Sequence, residues 1–152
     1  MSSRARNRKF GLLLAATLAA GPALSEEDSR ELVEMPSMMQ QHMLANMRDH
    51  LVALDEILGF LAGGNVNAAG KIAESRLGMS SLDLHGASQI AKYMPEAMAA
   101  AGTQMHRAAS RFVIAAQDAE FEPGRDAQHT VYGALQEVTS ACNACHQAYR
   151  IR

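Results

Sequence analysis

The residues best suited to chemistry lie in CNACH, residues 142–146, inside the longer run SACNACHQAYRIR. Cys142 and Cys145 are the only cysteines of the chain, and His146 directly follows the second. On a helix, positions i, i+3 and i+4 project from one face. The motif can therefore present two thiols and an imidazole to a single ligand.

Several kinds of site use thiols at this spacing, and most of them need something that this sequence lacks. A redox CxxC pair needs a thioredoxin-like βαβ setting, and a structural zinc site needs four ligands, usually in two clusters. A disulfide across one helical turn closes too short a loop to stabilise much. Haem attachment needs two thiols for two vinyl groups and a histidine for the iron. The motif predicts one covalent haem c, with Cys142 and Cys145 as attachment points and His146 as iron ligand.

The first 25 residues resemble a secretory signal peptide, with cleavage after Ser25. A basic region, MSSRARNRKF, precedes the apolar stretch GLLLAATLAA, and small residues follow Gly21-Pro22. The alternative is a membrane anchor, but the apolar run is too short to cross roughly 30 Å of hydrocarbon as a helix. Attachment of c-type haem takes place outside the bacterial cytoplasm. The sequence therefore predicts a soluble periplasmic domain over residues 26–152.

Charge and composition limit the kinds of partner that are expected and indicate the fold class. The predicted cleavage removes four of the 14 Lys and Arg and none of the 16 Asp and Glu, which leaves a net charge of −6. No basic stripe with interleaved aromatics exists beyond the first ten residues, so nucleic acid is not an expected partner. Trp is absent and Ala and Met are abundant, which favours helices. No segment alternates with period two.

Helix signals divide the predicted domain into four main segments. Ser37 and Gln40 have the spacing of a capping box, and an apolar stripe of period three to four runs from there to Gly63-Gly64. Weaker helical periodicity covers residues 65–77 and leaves a short, ambiguous segment at 81–93. Pro95-Glu96 begins the next long helix, and a turn at 122–124 precedes the last, whose periodicity continues to the end of the sequence. Short turns predict an all-α, antiparallel four-helix bundle in which the first helix begins near the end of the last.

Antiparallel packing places three candidate iron ligands opposite His146. These are the inward residues in the first half of the first helix: Met43, Met47 and His50. Geometry alone leaves all three open, although His50 is more typical of a buried imidazole or haem neighbour. His106 follows the buried Met105, whereas His85 and His129 lie near turns, so solvated or hydrogen-bonded roles are expected for these three. Arg48 and Arg107 could pair with haem propionates or be solvated surface charges.

The run MPSMMQQHMLANM, residues 35–47, contains five methionines and His42. Methionines at helical spacing are usually flexible core residues. A second interpretation is copper binding by Met38, Met39, His42 and Met43, because thioethers and imidazoles suit Cu(I). A third is that one of these methionines binds the haem iron.

With CNACHQAYR on the last helix of a domain of this length, the chain resembles cytochrome c′ and its low-spin relatives. The segment MRDHLVALDEILGFLAGGN, residues 47–65, resembles the first-helix segment of the methionine-ligated relatives. The resemblance implies thioether links at Cys142 and Cys145, the proximal ligand His146, Arg150 beside the proximal face, and Met47 as the sixth ligand.

The predicted function is that of an electron carrier, not an enzyme, with redox proteins as partners and no membrane insertion after cleavage. A five-coordinate cytochrome c′ that binds nitric oxide or carbon monoxide is the first alternative, and a copper-binding protein is the second. The oligomeric state is left open, a homodimer included.

Overall fold

The computed structural model of the protein describes residues 27–152, and the predicted signal peptide, residues 1–25, lies outside this range. The described chain is mostly helical, as predicted. Its helices are α1 (Ser37–Ala62), α2 (Val66–Arg76), α3 (Ala87–Ala91), α4 (Glu96–Phe121) and α5 (Arg125–Ala148), with a 3₁₀ turn at Met79–Ser81 and short strands β1 (Glu31–Val33) and β2 (Tyr149–Ile151). Between residues 27 and 152, no helix combines the length and the hydrophobicity needed to span a membrane.

Helix α1 begins and ends where the sequence predicts, but its first turn is held differently. Pro36 is the N-cap, and no side chain caps this end. The predicted capping box is wrong: Gln40 Nε2 donates to the carbonyl oxygen of Met35 at 3.1 Å instead. Proline has no backbone N–H to satisfy and its φ suits a helix start, so this end tolerates the missing hydroxyl cap.

Helix α2 and the segment after it are also close to prediction. The Asn65 side chain accepts a hydrogen bond from the backbone N–H of Ala68 at 3.1 Å and caps α2. Leu77 follows the helix and is fully buried. The ambiguous segment, residues 81–93, contains one short helix, the five-residue α3, and the 3₁₀ turn at Met79–Ser81 comes just before it.

The main core lies between α1, α2, α4 and α5, around Phe112 and Ile57, both fully buried. Most of the facing residues on α4 are alanines, which allows the helix backbones to approach closely. Gly70 of α2 marks one close approach: a Cβ there would lie 3.3 Å from the Ala116 Cβ of α4. Glycine lowers helix propensity, but at this position it allows α2 and α4 to pack closely.

The two ends of the described chain form a parallel pair of strands that the sequence did not predict. Glu31, Leu32 and Val33 pair with Tyr149, Arg150 and Ile151. Three residues are too few to show a period-two pattern, so this pairing had no detectable signal. The expectation that helical periodicity continues to the end is therefore wrong beyond Ala148. The expectation that α1 begins near the end of α5 is confirmed, because each strand adjoins one of these helix ends.

Close backbone packing joins α1 to α2, α2 to α4, and α4 to α5. Within the described residues, α1 and α5 are not one of the closely packed pairs. These two helices come together through side chains at the end where β1 and β2 pair. This is the end that carries CNACH.

Candidate functional site

Cys142, Cys145 and His146 lie in the last two turns of α5, as the motif predicts. Both cysteines are half-buried and neither forms a disulfide. Cys142 packs against the main core, whereas Cys145 packs against a second apolar cluster at the strand-bearing end. His146 is exposed. The two thiols therefore lie where the two apolar clusters meet, with the imidazole beside them at the surface.

The thiols are held in their neutral form. Burial raises the pKa of the Cys142 thiol, with a smaller effect from Cys145, and burial alone raises that of Cys145. A reactive redox cysteine has a lowered pKa, because the thiolate is the nucleophile. The environment therefore does not favour a redox pair, and it suits addition of an undissociated thiol to an apolar partner.

The second apolar cluster, called the methionine cluster here, faces Cys145 from α1, α3 and α4. Its buried members are Val33, Met35, Met43, Ile90 and Met98. Met39, Met47, Tyr93, Met94, Cys145, Tyr149 and Ile151 pack against it and are partly buried. Met47 of α1 and Cys145 of α5 thus belong to the same cluster. The donor set of two neutral thiols, one histidine and a nearby thioether fits a covalently attached, axially ligated haem.

Of the three ligand candidates, Met43 and Met47 lie in the methionine cluster, and Met47 is the less buried of the two. His50 is 8% exposed and lies at a different place. Its pKa is lowered to about 4, first by burial and then by His85 and His106, with a smaller contribution from His146. His50 is thus within electrostatic range of His146, but its ring contacts are with other histidines.

His50, His85 and His106 form one buried group, called the histidine cluster here. Their ring centroids are 4.7 Å apart for His50 and His85, 5.9 Å for His50 and His106, and 5.6 Å for His85 and His106. Of the two roles expected for His85, the solvated one is wrong, since it is only 5% exposed; its Nδ1 lies 3.5 Å from the Ser81 hydroxyl, which agrees with the hydrogen-bonded one. The apolar periodicity indicated the inward direction of His50, and the neighbour Met105 placed His106 near the core. His85 lies in an irregular turn, where the sequence carries no such signal.

Arg150 lies beyond the end of α5. The helix ends at Ala148, so Arg150 belongs to β2. Its Nε donates to the carbonyl oxygen of Arg30 at 3.3 Å and lies 3.5 Å from the Asp28 carboxylate. Arg30 in turn donates to the carbonyl oxygen of His146 at 3.3 Å. Asp28 and Arg30 therefore hold the C-terminal end of α5, where the motif lies. Sequence reasoning did not predict these contacts.

The other candidate residues do not converge on a site. Met38 is 70% exposed while Met43 is buried, so the proposed copper patch is divided between two faces of α1. His42 Nε2 forms a hydrogen bond with the carbonyl oxygen of His85 at 2.8 Å. Arg48, Arg107 and His129 are exposed.

Within residues 27–152, no three His, Cys, Asp or Glu side chains already surround a common point as metal ligands do. No protein-family model, curated protein or solved structure matches this chain. The likeness to cytochrome c′ therefore stays a prediction from CNACHQAYR and residues 47–65.

Proposed function

We propose that the protein is an exported, monohaem c-type cytochrome that carries electrons between periplasmic redox proteins. The observation that supports this most directly is the placement of Cys142, Cys145 and His146 on one face of α5, with Met47 of α1 in the same apolar cluster as Cys145. The helices would be arranged as an antiparallel four-helix bundle, in which the haem lies between α1 and α5. Within residues 27–152 these two helices are not a closely packed pair, yet both contribute side chains to the methionine cluster.

Each residue has a distinct part in this proposal. The Cys142 and Cys145 thiols each add across a vinyl group: the sulfur bonds to one carbon and the thiol proton goes to the other, so no oxidant is needed. His146, adjacent to Cys145, is the proximal ligand, and Met47 is the distal one. When bound, the haem supplies one-electron redox chemistry. A methionine thioether favours the ferrous state and raises the reduction potential.

The surroundings support a carrier more than a catalyst. The methionine cluster offers apolar, polarizable side chains that adapt to irregular shapes and limits the access of water to the distal side. His146 and the face of α5 next to it are exposed, which leaves a path for electrons to a partner surface.

The test is whether the haem is attached covalently. The chain should be produced in a host that attaches c-type haem, then denatured and extracted with acidic organic solvent. The protein should keep its colour, and its mass should exceed that of residues 26–152 by one haem. Cys142→Ser/Cys145→Ser should lose the colour on extraction. Loss of colour from the unaltered protein would overturn the proposal, and a pure high-spin spectrum would favour the gas-binding alternative.

A further inference from the structure

The histidine cluster lies outside the proposed haem site and uses none of its residues. Its three members come from separate parts of the chain: His50 from α1, His85 from the turn before α3, and His106 from α4. They are 8%, 5% and 8% exposed. Imidazoles are only intermediate in their tendency to be buried, so three in one apolar interior need an explanation.

Two of these imidazoles leave a ring nitrogen without a partner. His50 Nε2 and His85 Nε2 are buried and have no hydrogen bond among the described residues. A buried nitrogen without a partner destabilises the folded state, because nothing replaces the hydrogen bonds it made to water. Such atoms indicate a strained site, a water molecule or an ion.

The hydrogen bonds that do exist leave Nε2 lone pairs free. His106 Nδ1 is 2.8 Å from the carbonyl oxygen of Leu77, and a carbonyl can only accept, so Nδ1 carries the proton and Nε2 does not. Ser81 Oγ donates to the carbonyl oxygen of Gly78 at 2.7 Å, and it lies 3.5 Å from His85 Nδ1. The hydroxyl therefore offers His85 Nδ1 an acceptor, which favours the same tautomer.

The backbone around His85 is also fixed. Its carbonyl oxygen accepts from Asn46 Nδ2 at 2.8 Å and contacts His42 Nε2 at 2.8 Å, so two side chains of α1 hold this turn. Gly86 follows with φ 59°, a conformation that glycine adopts without strain. A Cβ there would lie 3.0 Å from His42 Nε2. The turn is thus built to hold His85 against α1.

We propose that His50, His85 and His106 form a binding site for one divalent transition-metal ion of the zinc and copper class. With Zn–N bonds of about 2.0–2.1 Å, imidazole centroids around one ion lie roughly 5 Å apart, close to the 4.7–5.9 Å found here. The nitrogens do not converge on one point in this structure, so the proposal requires the rings to turn about the broad χ2 torsion when the ion binds.

The hydrogen bond of His106 Nδ1 to a carbonyl matches what a metal-bound histidine needs. Such a histidine almost always donates its other N–H to a carbonyl or carboxylate, which fixes its tautomer. The Leu77 carbonyl does this for His106. All three imidazoles have pKa values lowered by burial, so they are neutral, as ligands must be. Imidazole nitrogen suits zinc, copper and nickel.

The test is calorimetric titration of Zn²⁺ into the haem-attached protein after dialysis against EDTA, with any free thiols alkylated. One ion should bind per chain. His85→Gln and His106→Gln should each weaken binding at least about tenfold. His129→Gln, which alters an exposed histidine on α5, is the matched control and should not change it. Far-UV circular dichroism checks that each variant is folded.

X-ray absorption at the zinc edge of the unaltered protein gives a readout that does not depend on the variants. It should show three imidazole ligands. Absence of saturable zinc binding would overturn the proposal and favour a buried water between the rings. If His85→Gln and His106→Gln both bind zinc as tightly as the unaltered protein, the ion lies elsewhere and the proposal is overturned as well. The haem proposal is judged by other residues and by the visible spectrum, so the two can fail separately.

Discussion

Met47 is the residue on which the proposed electron-transfer role depends most. It lies in the methionine cluster with Cys145 and is only partly buried, so its thioether can be presented to a bound group. Met43 occupies the same cluster one turn earlier but is 8% exposed. Both residues are methionines that differ only in position, so the same substitution at Met43 is a matched control for Met47.

Met47→Leu should convert a low-spin haem spectrum to a high-spin one and allow carbon monoxide to bind the ferrous protein. Leucine keeps the volume and apolarity and removes only the sulfur, so the fold should be little affected. The measurement is the visible absorption spectrum with and without carbon monoxide. Met43→Leu should leave the sulfur-ligated spectrum unchanged. If both variants keep that spectrum, Met47 is not the ligand.

The buried histidines should make the protein sensitive to mild acid. The pKa of His50 is lowered to about 4 from an ordinary value of 6.5, so the unfolded chain binds a proton more readily than the folded one between these values. Stability is therefore unaffected above about pH 6.5 and falls as the pH is lowered toward 4. At pH 5 the loss from His50 should be about 2 kcal/mol, with further loss from His85 and His106, whose pKa values are lowered too.

Urea unfolding in EDTA at pH 7 and pH 5 measures this effect. His50→Leu should show a smaller pH dependence, because it removes one of the groups that must be charged. His129→Gln should retain the full dependence. Carboxylates with lowered pKa values, such as Asp49 and Glu74, add their own loss only at lower pH. Equal stability at pH 7 and pH 5 would show that the buried histidines do not control acid sensitivity.

The long helices could be predicted from the sequence, whereas the contacts between distant elements could not. The starts at residues 37 and 96 follow prolines, and the stops coincide with Gly63-Gly64 and residues 122–124, which are local signals. The β1–β2 pair joins residues about 120 positions apart through three residues each, so nothing local marks it. Likewise, the hydrogen bond from Arg30 to the carbonyl oxygen of His146 is a tertiary contact, and residue spacing in the sequence cannot predict it.

Gly70 gives a test of helix packing that is independent of any cofactor. Gly70→Val should destabilise the fold by about 1–3 kcal/mol, because the new side chain meets Ala116 and Val113 of α4 and forces the helices apart. Gly59→Val, on the exposed face of α1 with no atom within 4 Å of the new Cβ, should change stability by less than about 0.5 kcal/mol. Denaturant unfolding compares the two. Similar effects at both positions would mean that α2 and α4 are not closely packed at Gly70.

The residues of the candidate site could be proposed from the sequence, but their surroundings in the folded molecule could not. The CNACH spacing is a local property of one helix and could be read directly. Which thioether faces Cys145 depends on how α1 and α5 approach each other, and periodicity left three candidates open. The histidine cluster depends on an irregular turn that brings His85 close to α1 and α4. Helical periodicity cannot predict the direction of a side chain in such a turn.

The last prediction follows from the uneven packing of the helices. Close backbone packing runs from α1 through α2 and α4 to α5. In the described chain α1 and α5 are not a closely packed pair, and both contribute side chains to the methionine cluster at the end where β1 and β2 pair. A haem attached to α5 and ligated by Met47 would join these two helices and bury apolar surface between them. A group that binds only the folded state stabilises it. We therefore expect the haem-free form to be less stable, with the loss concentrated in α1.

Hydrogen exchange read by mass spectrometry, on the haem-attached protein and on Cys142→Ser/Cys145→Ser made without haem, measures this. Amides of α1 near residues 43–54 should exchange much faster in the haem-free form. Amides in the middle of α4, which is packed against both α2 and α5 whether or not haem is bound, should change least and serve as the internal reference. Thermal unfolding should also become broader and shift to lower temperature. Identical exchange in α1 of the two forms would mean that α1 is held by its packing on α2 alone, and that haem does not lie between α1 and α5.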